Sequence, residues 1–222
     1  MLVDDVPVDK PGTRVAPGAV LRLRGENRHF VSRGGEKLAG ALADLRVPVE
    51  GRVVLDVGAS TGGFTHCLLE AGARAVIAVD VGYGQLAPLL RSDPRVHVLE
   101  RTHIARLRPE ALPLPPDLVT VDVSFISLRH VLPALAALAP RGDWLLLVKP
   151  QFEVGRARVG KGGVVRDDAL RREAADRVAA QAAELGHPER GRAESRLAGP
   201  RGNREIFLWL PAAGLGHGRA FR

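Results

Sequence analysis

Five apolar runs between Val53 and Val148 limit what this chain folds into: Val53-Val54-Leu55-Asp56-Val57, Ala75-Val76-Ile77-Ala78-Val79-Asp80, Val96-His97-Val98-Leu99, Leu118-Val119-Thr120-Val121-Asp122 and Trp144-Leu145-Leu146-Leu147-Val148. Segments of helical composition separate them. A strand that is apolar at nearly every position must be covered on both sides. The alternation therefore predicts a parallel sheet with helices on both faces.

The flanking segments extend this outline. Residues 36–45 place Leu38, Ala41, Leu42 and Leu45 on one helical face. A longer helix is expected from about Asp167 to Leu185, with Leu170, Ala174, Val178, Ala182 and Leu185 as its buried stripe. Residues 190–197 and 204–210 read as a hairpin, because Ala198-Gly199-Pro200-Arg201-Gly202-Asn203 supplies the Gly and Asn that tolerate positive φ in a tight reversal. A mostly parallel, seven-stranded α/β sheet that ends in an antiparallel hairpin is the outline of a class I, Rossmann-like methyltransferase. The first 24 residues read as two short strands and two turns, too little to bury a core. The expected division is a short N-terminal module (1–27), a polar linker (28–35), the α/β domain (36–213) and a tail (214–222).

Composition narrows the setting. Of the 222 residues 45% are apolar, enough for a real core, and one cysteine, Cys67, excludes an intrachain disulfide. The N-terminus has neither the charged nor the apolar region of a signal peptide, and no apolar stretch approaches the ~20 residues of a membrane span. A soluble, cytoplasmic protein with no membrane partner is expected. The net charge of +7 is uneven: residues 1–37 carry seven basic and five acidic groups, 38–148 ten and eleven, and 149–222 fifteen and nine. The ends therefore attract an extended anion while the middle is neutral.

The turn after the first strand, Asp56-Val57-Gly58-Ala59-Ser60-Thr61-Gly62-Gly63-Phe64, admits three readings. A dinucleotide loop wants G-x-G-x-x-G, which Ser60 breaks. Gly58-Ala59-Ser60-Thr61-Gly62 matches the nucleophile elbow of a serine hydrolase, but no histidine is marked as a partner, and His187 and His217 sit in polar segments. An S-adenosylmethionine loop explains more, because Asp80 ends the next strand, where an acid takes both ribose hydroxyls of an adenosine.

Arginine outnumbers lysine 28 to 4, so the remaining lysines are suspects for what arginine cannot do, which is to lose a proton. Lys149 stands just beyond an apolar strand and Lys37 in a polar segment, whereas Lys10 and Lys161 read as surface cations. Asp122 closes the fourth strand and Glu205 opens the last, so Lys37, Asp122, Lys149 and Glu205 are expected to converge at one rim. Such a set suits proton removal from a ribose hydroxyl, since a lysine acts as base when burial or a like charge favours its neutral form.

Six ordered strings carry a resemblance: Phe30-Val31-Ser32-Arg33-Gly34-Gly35-Glu36-Lys37-Leu38, the turn from Asp56 to Thr65, Asp122-Val123-Ser124-Phe125-Ile126-Ser127-Leu128, Val148-Lys149-Pro150-Gln151-Phe152-Glu153, Lys161-Gly162-Gly163-Val164-Val165-Arg166-Asp167 and Gly202-Asn203-Arg204-Glu205. They resemble the TlyA family of FtsJ-like ribosomal RNA 2′-O-methyltransferases, some of which are labelled haemolysin A. The resemblance runs from about Val3 to Leu210. It implies S-adenosylmethionine as methyl donor, a cytidine 2′-hydroxyl of ribosomal RNA as acceptor, ribosomal subunits as partners, no metal, and a catalytic Lys-Asp-Lys-Glu set at Lys37, Asp122, Lys149 and Glu205. The expected cofactor residues are Asp56, Gly58, Ser60, Thr61, Gly62, Gly63, Phe64 and Asp80, with Thr102 and His103 toward the adenine.

Two departures stand out. The segment from Val3 to Leu23 resembles only the last strands and turns of the S4-like RNA-binding module with which the family usually begins. His103 stands where the family has Asn. Phosphate contacts are expected from Arg28, Arg33, Arg156, Arg158, Arg166, Arg201 and Arg204, with steep salt dependence. The competing readings are an RNA-binding assembly factor without catalysis, a membrane-active haemolysin and the serine hydrolase.

Overall fold

In the computed structural model, residues 2–4, 6–8, 12–22 and 29–213 are described. Near the N-terminus three two-residue strands, β1 (Leu2–Val3), β2 (Val6–Pro7) and β3 (Leu21–Arg22), pair antiparallel in the order β2-β1-β3. That is one strand more than the sequence pattern indicates.

The α/β unit follows as α1 (Arg33–Leu45), β4 (Val53–Val57), α2 (Gly63–Glu70), β5 (Ala75–Val79), α3 (Pro88–Arg91), β6 (Val96–Leu99), β7 (Leu118–Val121), α4 (Leu132–Leu138), β8 (Asp143–Val148), α5 (Pro150–Glu153), α6 (Asp168–Glu184), β9 (Gly191–Glu194) and β10 (Ile206–Leu210). Seven strands form one sheet in the order β6-β5-β4-β7-β8-β10-β9. The pairs from β6 through β8 are parallel, and β10 runs antiparallel to both β8 and β9. The chain leaves β4 for β5 and β6 on one side and then crosses to β7 and β8 on the other. The carboxyl ends of β4 and β7 thus form a topological switch point, where open α/β sheets hold ligands.

The alternation of side chains along each strand splits the core in two. Leu55, Ile77, Val119, Leu146 and Leu208 pack with α4 and α6, while Val54, Val76, Leu145, Leu147 and Phe207 pack with α1 and α2. On α6, Ala174, Val178 and Ala182 are buried as expected, whereas Leu170 and Leu185 are only half-buried at its ends. Asp167 starts that helix by accepting the Ala169 N–H at 2.7 Å.

One boundary differs from expectation in a way that matters for the site. α1 begins at Arg33, three residues before Glu36, and Gly34-Gly35 lies in its first turn. These glycines are packing residues: a Cβ at Gly35 meets the Phe30 ring at 2.2 Å, and one at Gly63 meets Ser32 Oγ at 2.1 Å and Gly35 N at 2.9 Å. The starts of α1 and α2 therefore touch backbone to backbone, bringing Lys37 toward the glycine-rich turn. Phe30, inside the expected linker, is buried in the core around α1 and α2. No helix among the described residues is long and apolar enough to cross a membrane.

Candidate active site

The turn from Val57 to Gly63 is held by backbone geometry. Gly58 N–H and Ala59 N–H both bond Val79 O, at 2.9 and 3.2 Å. Gly58 has φ 86°, and a Cβ there lies 2.5 Å from Asp122 O, so glycine permits β4 and β7 to approach at the switch point. Gly62, at φ 95°, leaves room for Leu86 and Leu90; it packs against these side chains and does not line the clefts. Ser60 takes a left-handed φ of 49°, and its N–H bonds Asp80 Oδ2 at 2.8 Å.

The two aspartates flanking this turn have different surroundings. Asp56 is fully buried: Thr65 Oγ1–H donates to its Oδ2 at 2.7 Å and Thr120 Oγ1–H to its Oδ1 at 3.1 Å. Burial pushes its carboxyl up to about 7, the threonine bonds opposing the shift. It reaches no cleft, which corrects its expected place at the cofactor; it ties β4 to α2 and β7. Asp80 lies at the end of β5 and accepts from Ser60 N–H and, at 2.7 Å, from Gly82 N–H. Each of its oxygens retains a lone pair for a hydroxyl donor.

Three hollows meet beyond the strand ends. One of about 360 Å³ is lined by Lys37, Thr61, Gly63, Phe64, Lys149 and Glu205. A second of about 470 Å³ is lined by Val79, Asp80, Gln85, Thr102, His103 and Ile104. Gly58, Ser60, Asp122 and Ser124 border both. A third, about 770 Å³ and more apolar, lies among Phe125, Phe152, Arg156, Val159 and Arg201, and shares Ser124, Lys149, Pro200 and Glu205 with the first. Ser124 therefore borders all three.

At their junction stand two lysine–carboxylate pairs. Lys37 Nζ donates to Glu205 Oε2 at 2.5 Å, with both side chains buried. Lys149 Nζ lies 2.5 Å from Asp122 Oδ1 and donates to Ser124 Oγ at 2.9 Å. The four residues expected to converge line the same hollow, from α1, the end of β7, the end of β8 and the approach to β10. Sequence reasoning missed the role of Ser124, although its string was marked, and missed Gln85, whose Oε1 accepts from Ser60 Oγ–H at 3.2 Å.

That bond bears on the hydrolase reading, since the Ser60 hydroxyl is directed to an amide and no histidine among the described residues bonds it. His103 Nδ1 accepts the Ala105 N–H at 3.2 Å. His187 is buried and stacked on Trp144 at 3.6 Å, rather than lying in a polar segment, and burial lowers its pKa. His217 lies outside the described residues.

The expected phosphate contacts divide. Arg33, Arg156 and Arg201 are exposed on the hollows' rims, and Arg166 is exposed. Arg158 is bound to Glu173 at 2.9 Å and Arg204 to Glu194, so their charge is already partnered. Arg28 and Lys10 lie outside the described residues. Lys161 is exposed, as expected of a surface cation.

Residues 30–211 match the model of the FtsJ-like methyltransferase family. The chain is 53% identical over 210 residues to the 16S/23S rRNA (cytidine-2′-O)-methyltransferase TlyA of Mycobacterium tuberculosis, covering 94% of this chain and 78% of that protein. A Streptococcus thermophilus protein of known structure that carries a hemolysin name superposes with TM-score 0.82 at 41% identity, over 93% of this chain and 75% of the other. A Burkholderia thailandensis 1,6-didemethyltoxoflavin-N1-methyltransferase, solved with S-adenosylhomocysteine, superposes with TM-score 0.54 at 20% identity, over 81% and 78% of the two chains, and shows the fold alone.

Proposed function

The chain belongs to the FtsJ-like methyltransferase family, within which it is similar to TlyA, and on that premise we propose that it methylates a ribose 2′-hydroxyl of ribosomal RNA, cytidine being the acceptor nucleoside. The observation that carries this reading is the placement of both lysine–carboxylate pairs where the hollow beside the glycine-rich turn meets the larger, more apolar one. S-Adenosylmethionine supplies an electrophilic methyl carbon. The residues present fit it: two hollows of about 360 and 470 Å³ meet at Gly58 and Ser60, and Asp80 offers acceptor capacity for the ribose. The cofactor set is Gly58, Ser60, Thr61, Gly63, Phe64, Asp80, Thr102 and His103. Asp56 and Gly62 support the turn from beneath.

The third hollow then receives the acceptor nucleotide. Lys149 Nζ, held by Asp122 and Ser124, orients the 2′-hydroxyl and takes its proton as the oxygen–carbon bond forms. Asp122 balances the ammonium that results. Lys37 and Glu205 fix the opposite wall and add a positive charge near the developing alkoxide. Arg33, Arg156 and Arg201 hold the RNA backbone at the rim, with the exposed Arg166 as a further phosphate contact. The segment before the methyltransferase domain resembles part of an S4-like RNA-binding module, the domain itself takes in Phe30 and α1, and the protein acts on ribosomal subunits in the cytoplasm.

The experiment is transfer of an isotopically labelled methyl group from S-adenosylmethionine to ribosomal subunits, followed by nuclease digestion. The expected product is 2′-O-methylcytidine. Label on a base atom, or no label on RNA despite cofactor binding, contradicts the reading.

A further inference from the structure

The two segments that carry Asp122 and Lys149 are joined a second time, away from the clefts. α5 begins directly after Lys149 and ends at Glu153, a carboxylate with 5% of its surface exposed. Glu153 Oε2 accepts Ser127 Oγ–H at 2.6 Å, and Oε1 accepts Leu128 N–H at 2.8 Å. Both donors end the loop that starts at Asp122. No ion pair among the described residues engages Glu153. A buried carboxylate satisfied only by a hydroxyl and an amide is a costly way to fill space, and an apolar side chain of that size would serve a core better.

The loop needs holding. Phe125 takes a left-handed φ of 65° and is 91% exposed, a conformation that a bulky side chain adopts only when its surroundings impose it. At its start the loop is fixed by Asp122 N–H on Val57 O at 2.9 Å, and at its end by Glu153. Between these anchors lie Asp122 Oδ1 and Ser124 Oγ, the two groups that hold Lys149 Nζ. α5 is anchored in turn, since Arg177 Nη2 donates to Glu153 O at 3.1 Å.

We propose that Glu153 is a positioning residue for the methyl-transfer reaction, setting the separation between the Asp122–Ser124 loop and Lys149 so that the amine is aimed at the acceptor hydroxyl. The inference rests on the reading of Lys149 as the proton acceptor. Among the described residues no hydrogen bond of Glu153 reaches residues 58–64, so although Asp122 and Ser124 also border the cofactor hollows, the main effect is expected on turnover. An error approaching 1 Å in such a site costs on the order of 10²-fold in rate.

The test uses the full chain and two variants. Glu153→Leu keeps the bulk and removes both acceptors; Glu153→Gln keeps Oε1 for Leu128 N–H and offers an amide to the Ser127 hydroxyl. Glu153→Leu is expected to lower kcat on ribosomal RNA by on the order of 10²-fold with cofactor Kd within about 2-fold of the parent, and Glu153→Gln to restore kcat to within about 5-fold. In parallel, the side-chain NMR titrations of Lys149 and Lys37 are followed without RNA. Glu153→Leu is expected to move the Lys149 curve, whose facing groups are Asp122, Ser124, Lys37 and Glu205, and to leave that of Lys37 in place. An unchanged Lys149 curve, or losses of kcat and cofactor affinity in equal proportion, overturns the proposal. Should the parent chain bind cofactor yet methylate no RNA, the functional reading fails, and the NMR titration still decides whether Glu153 sets the Lys149 geometry.

Discussion

The two lysine–carboxylate pairs have the same 2.5 Å separation and differ in what surrounds them. The side chains of Lys37 and Glu205 are 8% and 1% exposed, those of Lys149 and Asp122 12% and 22%. The first pair joins α1 to the approach to β10 across 168 residues of sequence and is almost fully buried at the wall of the first hollow. The second faces three hollows and has a hydroxyl, Ser124, as additional partner. On the proposed reading the first pair stays fixed and the second exchanges a proton, and this division is open to attack by substitution.

The largest effect on the molecule as a whole is expected from Lys37→Met. It leaves the buried Glu205 without its cation and is predicted to cost about 3–5 kcal/mol of stability, read as a fall in unfolding midpoint. Lys37→Met combined with Glu205→Leu is expected to recover most of that stability while methyl transfer stays absent. Equal transfer by the double variant and the parent contradicts a role for this pair in the reaction.

Next comes Asp122→Asn. With the Lys149 pair partly open, stability is predicted to change by less than about 1 kcal/mol, whereas kcat drops by about 10²-fold because the amine loses its orienting charge. A drop in stability comparable to that of Lys37→Met erases the distinction between the pairs.

A buried acid outside the pairs provides a control. Asp56 has a folded pKa raised to about 7, above its unfolded 3.8. Below about pH 4 both forms are protonated and its contribution to stability is complete. As pH rises toward 7 the unfolded chain releases the proton first, so stability is lost at up to about 1.4 kcal/mol per pH unit. Asp56→Asn is expected to flatten this slope in denaturant titrations run from pH 4 to 8. An identical slope in the variant assigns the dependence elsewhere.

The smallest expected effect is at the rim. Arg156→Ala or Arg201→Ala is predicted to weaken RNA binding modestly and to reduce the slope of log affinity against log salt by about one each. The partnered Arg158 and Arg204 are expected to change it less. A larger loss from Arg204→Ala than from Arg201→Ala reverses this ranking.

The sheet was legible because both of its faces are covered. The residues of β4 and β6 coincide with the apolar runs that predict them. The start of α1 was not legible, because a Gly-Gly pair reads equally as a connector or as a site where two helix ends touch, and Gly63, whose contact with Gly35 decides the matter, is distant in sequence. The four residues at the junction could be anticipated, since strand ends in an open α/β sheet share one edge. Asp56 was misplaced for a geometric reason: it points inward to Thr65 and Thr120, nine and 64 residues away, and a strand's local pattern does not show which polar residue has buried partners. Ser124 and Glu153 escaped assignment similarly, because their meaning lies in contacts between neighbouring strand ends.

On the proposed reading Lys149 serves the reaction and does not hold the cofactor. The measurement that tests it most directly pairs calorimetric binding of S-adenosylmethionine with labelled methyl transfer to ribosomal RNA, for the parent and Lys149→Ala. The predicted result is cofactor affinity within about 2-fold and transfer reduced by 10²- to 10⁴-fold, the usual worth of a positioned acid–base group. Transfer at the parent rate by Lys149→Ala contradicts the account.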